Sequence, residues 1–210
     1  MKKGFFISLE GIEGAGKSTL LRMLKEALDS EGYEVLTTFE PGDTKAGARI
    51  REILLDPALK GLSPFAELLL YFSDRAEHVE KLLKPALNSG KVVLCDRFMD
   101  STFAYQGYGR GLELETLFSL NRLATGGLKP DLTLLFDLDV RTGLRRNRNA
   151  SKNDRFEQES LQFHERVRKG FLELASKEPD RFVVIDASLP IDKVFDRAKK
   201  EVLKRLQSLG

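Results

Sequence analysis

Residues 11–18 read "GIEGAGKS", a match to G-x-x-x-x-G-K-[ST] with Gly11, Gly16, Lys17 and Ser18 at the fixed places. The pattern restricts the fold because its chemistry belongs to a loop between a strand and a helix. Successive backbone N–H groups wrap a β-phosphate there, Lys17 spans the β and γ oxygens, and the Ser18 hydroxyl ligates Mg²⁺. Both flanks agree: "GFFISLE" before the loop reads as a buried strand, and "STLLRMLKEALDS" after it has apolar residues at helical spacing. An ordinary glycine-rich strand-to-helix turn is the competing reading, and the context on both sides weighs against it. One residue is out of character, since Glu13 puts a carboxylate in the middle of a loop suited to a polyanion.

Beyond the loop, apolar runs of strand length alternate with helical patterns, which predicts an α/β fold: a five-stranded parallel sheet with helices on both faces. The strands are expected at Phe5–Leu9, Val35–Phe39, Lys91–Cys95, Leu132–Leu138 and Phe182–Ile185. Helices are expected at about 17–30, 44–55, 63–88, 101–105, 112–124, 140–148, 157–177 and 190–208, with Gly32 and Gly90 as helix stops. The 210 residues suit a single domain, 1–210, without internal repeats. A net charge of +2 is too mild to imply a nucleic-acid or membrane surface. Basic residues do gather locally: Arg141, Arg145, Arg146, Arg148, Lys152 and Arg155 stand against the lone acid Asp154. Most fall in "RNRNASKNDR", residues 146–155, which has no apolar period and reads as a mobile loop. A single cysteine, no signal-peptide pattern and no run of about 18 apolar residues lead to the expectation of a cytoplasmic protein.

Ligands of an open parallel sheet bind at the carboxyl ends of its strands. After the third strand, Asp96 stands where an acid would meet the Mg²⁺ of Ser18, and Arg97 offers a fork for a second phosphate. A surface ion pair or helix cap is the alternative for these two. Tyr71 and Arg75, four apart on a helix, could present an aromatic plate and a donor fork to a flat, oxygen-bearing ring. Ser101, Thr102, Tyr105 and Gln106 follow as polar groups near a strand end, although an aromatic at helical spacing is more often core. His78 and His164 lack metal-ligand spacing and read as surface or packing residues, Cys95 as core, and Asp137 and Asp139 as helix caps.

At this point the chain resembles the thymidylate (dTMP) kinases, and their bacterial branch in particular, among the P-loop nucleoside-monophosphate kinases. The likeness runs in order through "FISLEGIEGAGKSTL", "TTFEPGDT", "LLLYFSDRAEHV", "VVLCDRFMDSTFAYQG", "KPDLTLLFDLD", "NDRFEQES" and "IDAS". It implies transfer of the ATP γ-phosphoryl group to dTMP with Mg²⁺, in dTTP synthesis, by a homodimer. In that reading Gly11, Ile12, Glu13, Gly14, Ala15, Gly16, Lys17, Ser18 and Thr19 hold the ATP phosphates, with Ser18 and Asp96 at the metal. Arg146 lies against adenine, bordered by Ala187 and Ser188. Tyr71 stacks on thymine, Arg75 bonds its O4, Thr102 lies near N3, and Tyr105 sits under the deoxyribose where a 2′-hydroxyl would collide. Ser101 and Gln106 line the same pocket. Arg97 takes the acceptor phosphate, and Glu13 points to the acceptor's 3′-hydroxyl rather than to ATP.

The resemblance also implies a lid at 146–155. Some members place an arginine where this chain has Gly14, and its absence goes with arginines supplied by the lid. Three departures stand out: Phe39 and Asp43 replace the arginine and second glycine of "REPGGT", and Ala150 replaces one lid arginine. That leaves Arg148, Arg146 or Lys152 as the lid group; with Arg146 suited to adenine, Arg148, flanked by Asn147 and Asn149, is the one expected to join Lys17 and Arg97 in catalysis. A GTPase switch would need N-K-x-D, and "SKND" at 151–154 lacks its asparagine; a nucleic-acid module would interleave aromatics with the basic cluster, and none are there.

Overall fold

In the computed structural model of the chain, the described residues are 4–59, 61–148, 156 and 158–208, and of Arg148 only the backbone is described. Strands β1 (Phe5–Glu10), β2 (Val35–Phe39), β3 (Val92–Asp96), β4 (Leu132–Asp137) and β5 (Phe182–Asp186) form one parallel sheet in the order β2-β3-β1-β4-β5. The central β1, β3 and β4 are buried almost throughout, as expected of unbroken apolar runs covered on both faces.

The helices are α1 (Lys17–Ser30), α2 (Lys45–Leu55), α3 (Pro64–His78), α4 (Lys84–Asn88), α5 (Met99–Thr102), α6 (Leu114–Thr125), α7 (Val140–Arg148), α8 (Leu161–Lys177) and α9 (Ile191–Gln207). A π-helical turn, Val79–Leu83, joins α3 to α4, and a π-helical segment, Phe103–Gly109, continues α5. Buried stripes fix the packing: Leu20, Leu24 and Leu28 on α1, Val194, Ala198 and Val202 on α9, and Phe163, Val167, Phe171 and Leu174 on α8. α1 packs against α9, whereas α8 lies on β4, β5 and the 103–109 segment. The crossover from β1 runs to one edge of the sheet and that from β4 to the other, so right-handed connections put α1 and α8 on opposite faces. The order reverses beside β1, which opens a crevice at the carboxyl ends of β1, β3 and β4.

The strands fall where expected, and Gly32 and Gly90 end their helices with φ of 84° and 81°. Asp139 caps α7, its Oδ1 accepting from the Thr142 N–H at 3.0 Å. Asp137 does not cap. Its carboxylate is drawn instead to Arg168 of α8, which donates from Nε at 2.7 Å and Nη2 at 2.8 Å, a bidentate pairing that a carboxylate–N–H cap cannot match. The carboxylate of Asp100 is bound by the buried Arg181 guanidinium at 2.7 and 2.9 Å. Helix α8 starts at Leu161, where the Ser160 hydroxyl accepts from Phe163 N–H, rather than near 157. Cys95 is core, as expected.

Candidate active site

The phosphate loop joins β1 to α1, and its lysine is turned in beneath it. Lys17 Nζ donates to the carbonyls of Gly11 and Ile12, each at 3.0 Å, which leaves one of its three N–H groups for a phosphate oxygen. Burial, and next the charge of Arg97, pulls this ammonium down to about 8. Gly14 has φ of +75°, and a Cβ there would come within 2.2 Å of the Gly143 carbonyl oxygen of α7. A Cβ on Gly143 would in turn meet the Glu13 carbonyl at 2.5 Å. Loop and helix therefore touch backbone to backbone. An arginine at position 14 would need to displace α7, so the glycine and the close seat of α7 go together.

Glu13 does turn away from the loop's phosphate cradle. Its Oε1 accepts from the Tyr105 hydroxyl at 2.5 Å and from Arg97 Nη2 at 3.3 Å. Burial would raise this carboxyl, but His164, Arg97 and Lys17 outweigh it and hold it well below the usual carboxylate range. Burial pushes the Tyr105 hydroxyl far up, so it stays a neutral donor. Arg97 Nη1 also donates to Gly11 O and Ser101 Oγ, both at 3.0 Å. Aromatic rings fix the Tyr105 plate edge-on, with Phe156, Phe163 and Phe171 at centroid distances of 5.8, 6.1 and 6.1 Å.

A cavity of about 1120 Å³ runs from Lys17, Ser18 and Thr19 past Asp96, Arg97, Ser101 and Tyr105 to Thr102, Gln106, Tyr71 and Arg75. At its far end Arg75 is 1% exposed and donates to Glu40 Oε2 at 2.8 Å, Thr102 Oγ1 at 2.9 Å and Asn121 Oδ1 at 3.2 Å. A guanidinium has five donors, so two remain for an acceptor atom in the cavity. Gln106 Nε2 is tied to Glu67 at 2.8 Å. At the opposite end Ala15, Gly16, Arg146, Ala187 and Ser188 line a smaller cavity of about 370 Å³, and Arg146 Nη1 donates to Ala187 O at 3.1 Å. The cavity linings thus gather the expected residues, except that Gly11 and Ile12 lie beneath the loop, holding Lys17. The Arg148 side chain and most of the expected lid, including Ala150 and Lys152, lie outside the described residues.

The Ser18 hydroxyl donates to Asp96 Oδ2 at 2.8 Å, and no cluster of three or more His, Cys, Asp or Glu among the described residues offers a protein cage for a metal. Two adjacent hard oxygens without a cage match Mg²⁺, which keeps waters and takes phosphate oxygens for the rest of its shell.

Several residues come into the site that the sequence reading did not single out. Arg51 of α2 reaches the large cavity, lies 5.5 Å from the centre of the Phe39 ring and donates to Pro41 O at 2.6 Å. Its signal was legible: Gly47, Arg51 and Leu54 follow one helix face, so the arginine stands on an inward stripe. Phe39 thus supplies a plate under a guanidinium that comes from elsewhere, and Asp43 accepts from Thr38 Oγ1 at 2.5 Å. Glu40, next after β2, binds both Arg75 and His78 Nδ1, the latter at 2.8 Å. Glu10 accepts from the Phe98 N–H at 2.8 Å and the Ser101 hydroxyl at 2.6 Å, pinning the turn that carries Arg97. Both histidines are buried packing residues, yet each faces a carboxylate.

The comparisons with known proteins agree with this geometry. A family model described as thymidylate kinase matches residues 9–198. The thymidylate kinase of Desulfovibrio desulfuricans is 52% identical, with 98% of each chain covered. That of Desulfosudis oleivorans is 53% identical over 91% of this chain and 93% of its own, and that of Citrifermentans bemidjiense 48% identical over 99% and 95%. A phosphate loop facing an aromatic, arginine-lined cavity, on a chain so similar along its length, has one assignment: the chain belongs to the thymidylate kinase family.

Proposed function

We propose that the protein transfers the γ-phosphoryl group of ATP to the 5′-phosphate of dTMP, giving dTDP and ADP, as an enzyme of dTTP synthesis. The observation that carries this reading is the single cavity that runs from the Lys17 loop to the Tyr71–Arg75 end, with Arg97 midway. The attacking phosphate oxygen is already ionised near neutral pH, so no general base is required and catalysis is positioning plus charge stabilisation.

On the donor side the loop amides and Lys17 take the ATP phosphates, while Arg146, Ala187 and Ser188 border adenine. On the acceptor side Arg97 takes the phosphate, Tyr71 and Arg75 the base, and Tyr105 the face of the deoxyribose. Thr102, Ser101 and Gln106 complete that wall, and Glu13 orients the nucleotide through Tyr105 and Arg97. Ser18 and Asp96 would hold Mg²⁺, which supplies charge neutralisation at the β and γ oxygens. Arg148, carried at the end of α7, is the lid residue assigned to the transferring group. We take the enzyme to be a cytoplasmic homodimer with a single domain, acting on small molecules; no helix among the described residues is long and apolar enough to cross a membrane.

A coupled assay of ADP release with a panel of nucleoside monophosphates tests the reading. Turnover with dTMP, and weakly with dUMP, supports it; ATP hydrolysis that ignores the acceptor would replace it with a motor or switch. Lys17→Ala is expected to remove nearly all turnover while dTMP still binds.

A further inference from the structure

One buried side chain outside the residues given roles above faces the Glu13 carboxylate with its polar atoms unmatched. His164 lies in the first turn of α8, 1% exposed, with its ring edge-on to Phe163 at 5.5 Å. Its Nδ1 stands 3.5 Å from Glu13 Oε2. That oxygen and both ring nitrogens are buried and lack a hydrogen-bond partner among the described residues, and 3.5 Å is beyond the usual N–H···O range. A buried carboxylate oxygen and a buried imidazole nitrogen left facing each other unbonded are each costly, and a shift of about half an ångström makes each the other's partner. The other carboxylate oxygen is already taken by Tyr105 and Arg97.

We infer that His164 is a positioning residue of the acceptor site: its Nδ1–H holds Glu13 Oε2, and through Glu13 it fixes the Tyr105 hydroxyl and the Arg97 guanidinium. The inference rests on the dTMP kinase reading and adds α8 to the elements that shape the acceptor pocket. It also accounts for a P-loop carboxylate that stays ionised without opposing the donor, since its charge is engaged from α8 on one side and from the 97–105 region on the other. A histidine that merely filled space in the core would be indifferent to where its replacement carries an N–H group.

The test uses the full chain with His164→Asn, His164→Gln and His164→Leu, each alone and with Glu13→Gln. Asparagine carries its N–H near the Nδ1 position, glutamine nearer Nε2, and leucine carries none. Calorimetric titration gives dTMP and ATP affinities, and thermal melts report folding. His164→Asn should bind dTMP within about 3-fold of the parent, while His164→Gln and His164→Leu should lose about 10-fold or more, as for a hydrogen bond to a charged group. ATP affinity should hold in all three, and the dTMP loss should vanish in the Glu13→Gln background. Equal dTMP affinity of the Asn and Gln variants would overturn the inference, as would a loss shared by ATP or one undiminished beside Glu13→Gln. Should His164→Leu not fold, the Asn and Gln pair still decides. Failure of the parent enzyme to phosphorylate dTMP would overturn the underlying reading instead.

Discussion

Arg97 has φ of 72°, a left-handed backbone that costs a non-glycine residue about 1–2 kcal/mol. The turn persists because both of its neighbouring groups are held: Arg97 N–H bonds Leu9 O at 3.0 Å, and Phe98 N–H bonds Glu10. This strain aims the guanidinium at the loop instead of along the sheet. Glu10 is the clamp, and burial, followed by the negative charge of Asp100, pushes its carboxyl up to about 8. Between the ordinary 4.5 and that value, the folded protein keeps a proton that the unfolded chain has released. Stability is therefore expected to fall as pH rises through this window, by a few kcal/mol at most, with the loss complete above it. Glu10→Gln keeps the shape and removes the titration, so denaturant unfolding from pH 5 to 9 should slope downward in the parent and less in the variant. Identical slopes would exclude Glu10 as the cause. Tyr105 offers a functional counterpart at the same scale. Its ring is walled by three aromatics and cannot yield to an added hydroxyl, so Tyr105→Ala should relax the preference for deoxy over ribo acceptors. An unchanged ratio would remove Tyr105 from that role.

Elements, more than residues, decide how the proposed lid segment is entered, and α7 leads into it. Its seat on the phosphate loop is the contact between Gly14 and Gly143. Alanine is a better helix former than glycine by about 1 kcal/mol, so if helix stability alone mattered, Gly143→Ala would be neutral or helpful. The added Cβ would instead lie 2.5 Å from the Glu13 carbonyl, pushing α7 off the loop. The expected result is a turnover loss of about 10-fold or more with weaker ATP binding and nearly unchanged dTMP binding; parental kinetics would show that the seat is dispensable. The same helix carries the two arginines given different work. Arg148→Ala should lose about 10²-fold or more in kcat with little change in dTMP affinity, the signature of a contact made in the transition state. Arg146→Ala should mainly weaken ATP binding, and exchanged phenotypes would reverse the assignment. Elements were also what the sequence revealed best. β1, β3 and β4 are unbroken apolar runs because both faces are covered, and the phosphate loop announces its own strand and helix. The 103–109 segment was legible only as helix near 101–105, since π-turns follow no separate apolar period. The partners of Arg75, His78, Glu10 and Glu13 come from elements 27 or more positions away, beyond any local pattern. Asp137 was misread for that reason: its partner Arg168 is 31 residues on.

At the scale of the whole molecule, α3 faces two ways. Tyr71 and Arg75 line the acceptor cavity, while Phe65 and Leu69 on the same helix are exposed at 51% and 43%. α6 packs beside α3 and exposes Phe118 and Leu123, so two neighbouring helices present large apolar side chains to solvent. Apolar surface gathered in this way marks association sites, and for the proposed homodimer this is the face we assign to the subunit contact. The consequence reaches the chemistry. A helix held on its outer side by a partner keeps its inner residues at fixed depth, whereas the donor end is built from the loop, Arg146 and the residues after β5, which stand apart from α3. Association should therefore support dTMP binding more than ATP binding. Sedimentation of the parent at micromolar concentration is expected to show a dimer, and Phe65→Glu with Leu69→Glu, both substitutions on exposed positions, should give a 23.7 kDa species that melts cooperatively. That variant should show a raised KM for dTMP against a nearly parental KM for ATP. A monomeric parent would refute the dimer itself. A monomeric variant in which both constants rise together would keep the dimer but deny that α3 transmits it to the acceptor pocket.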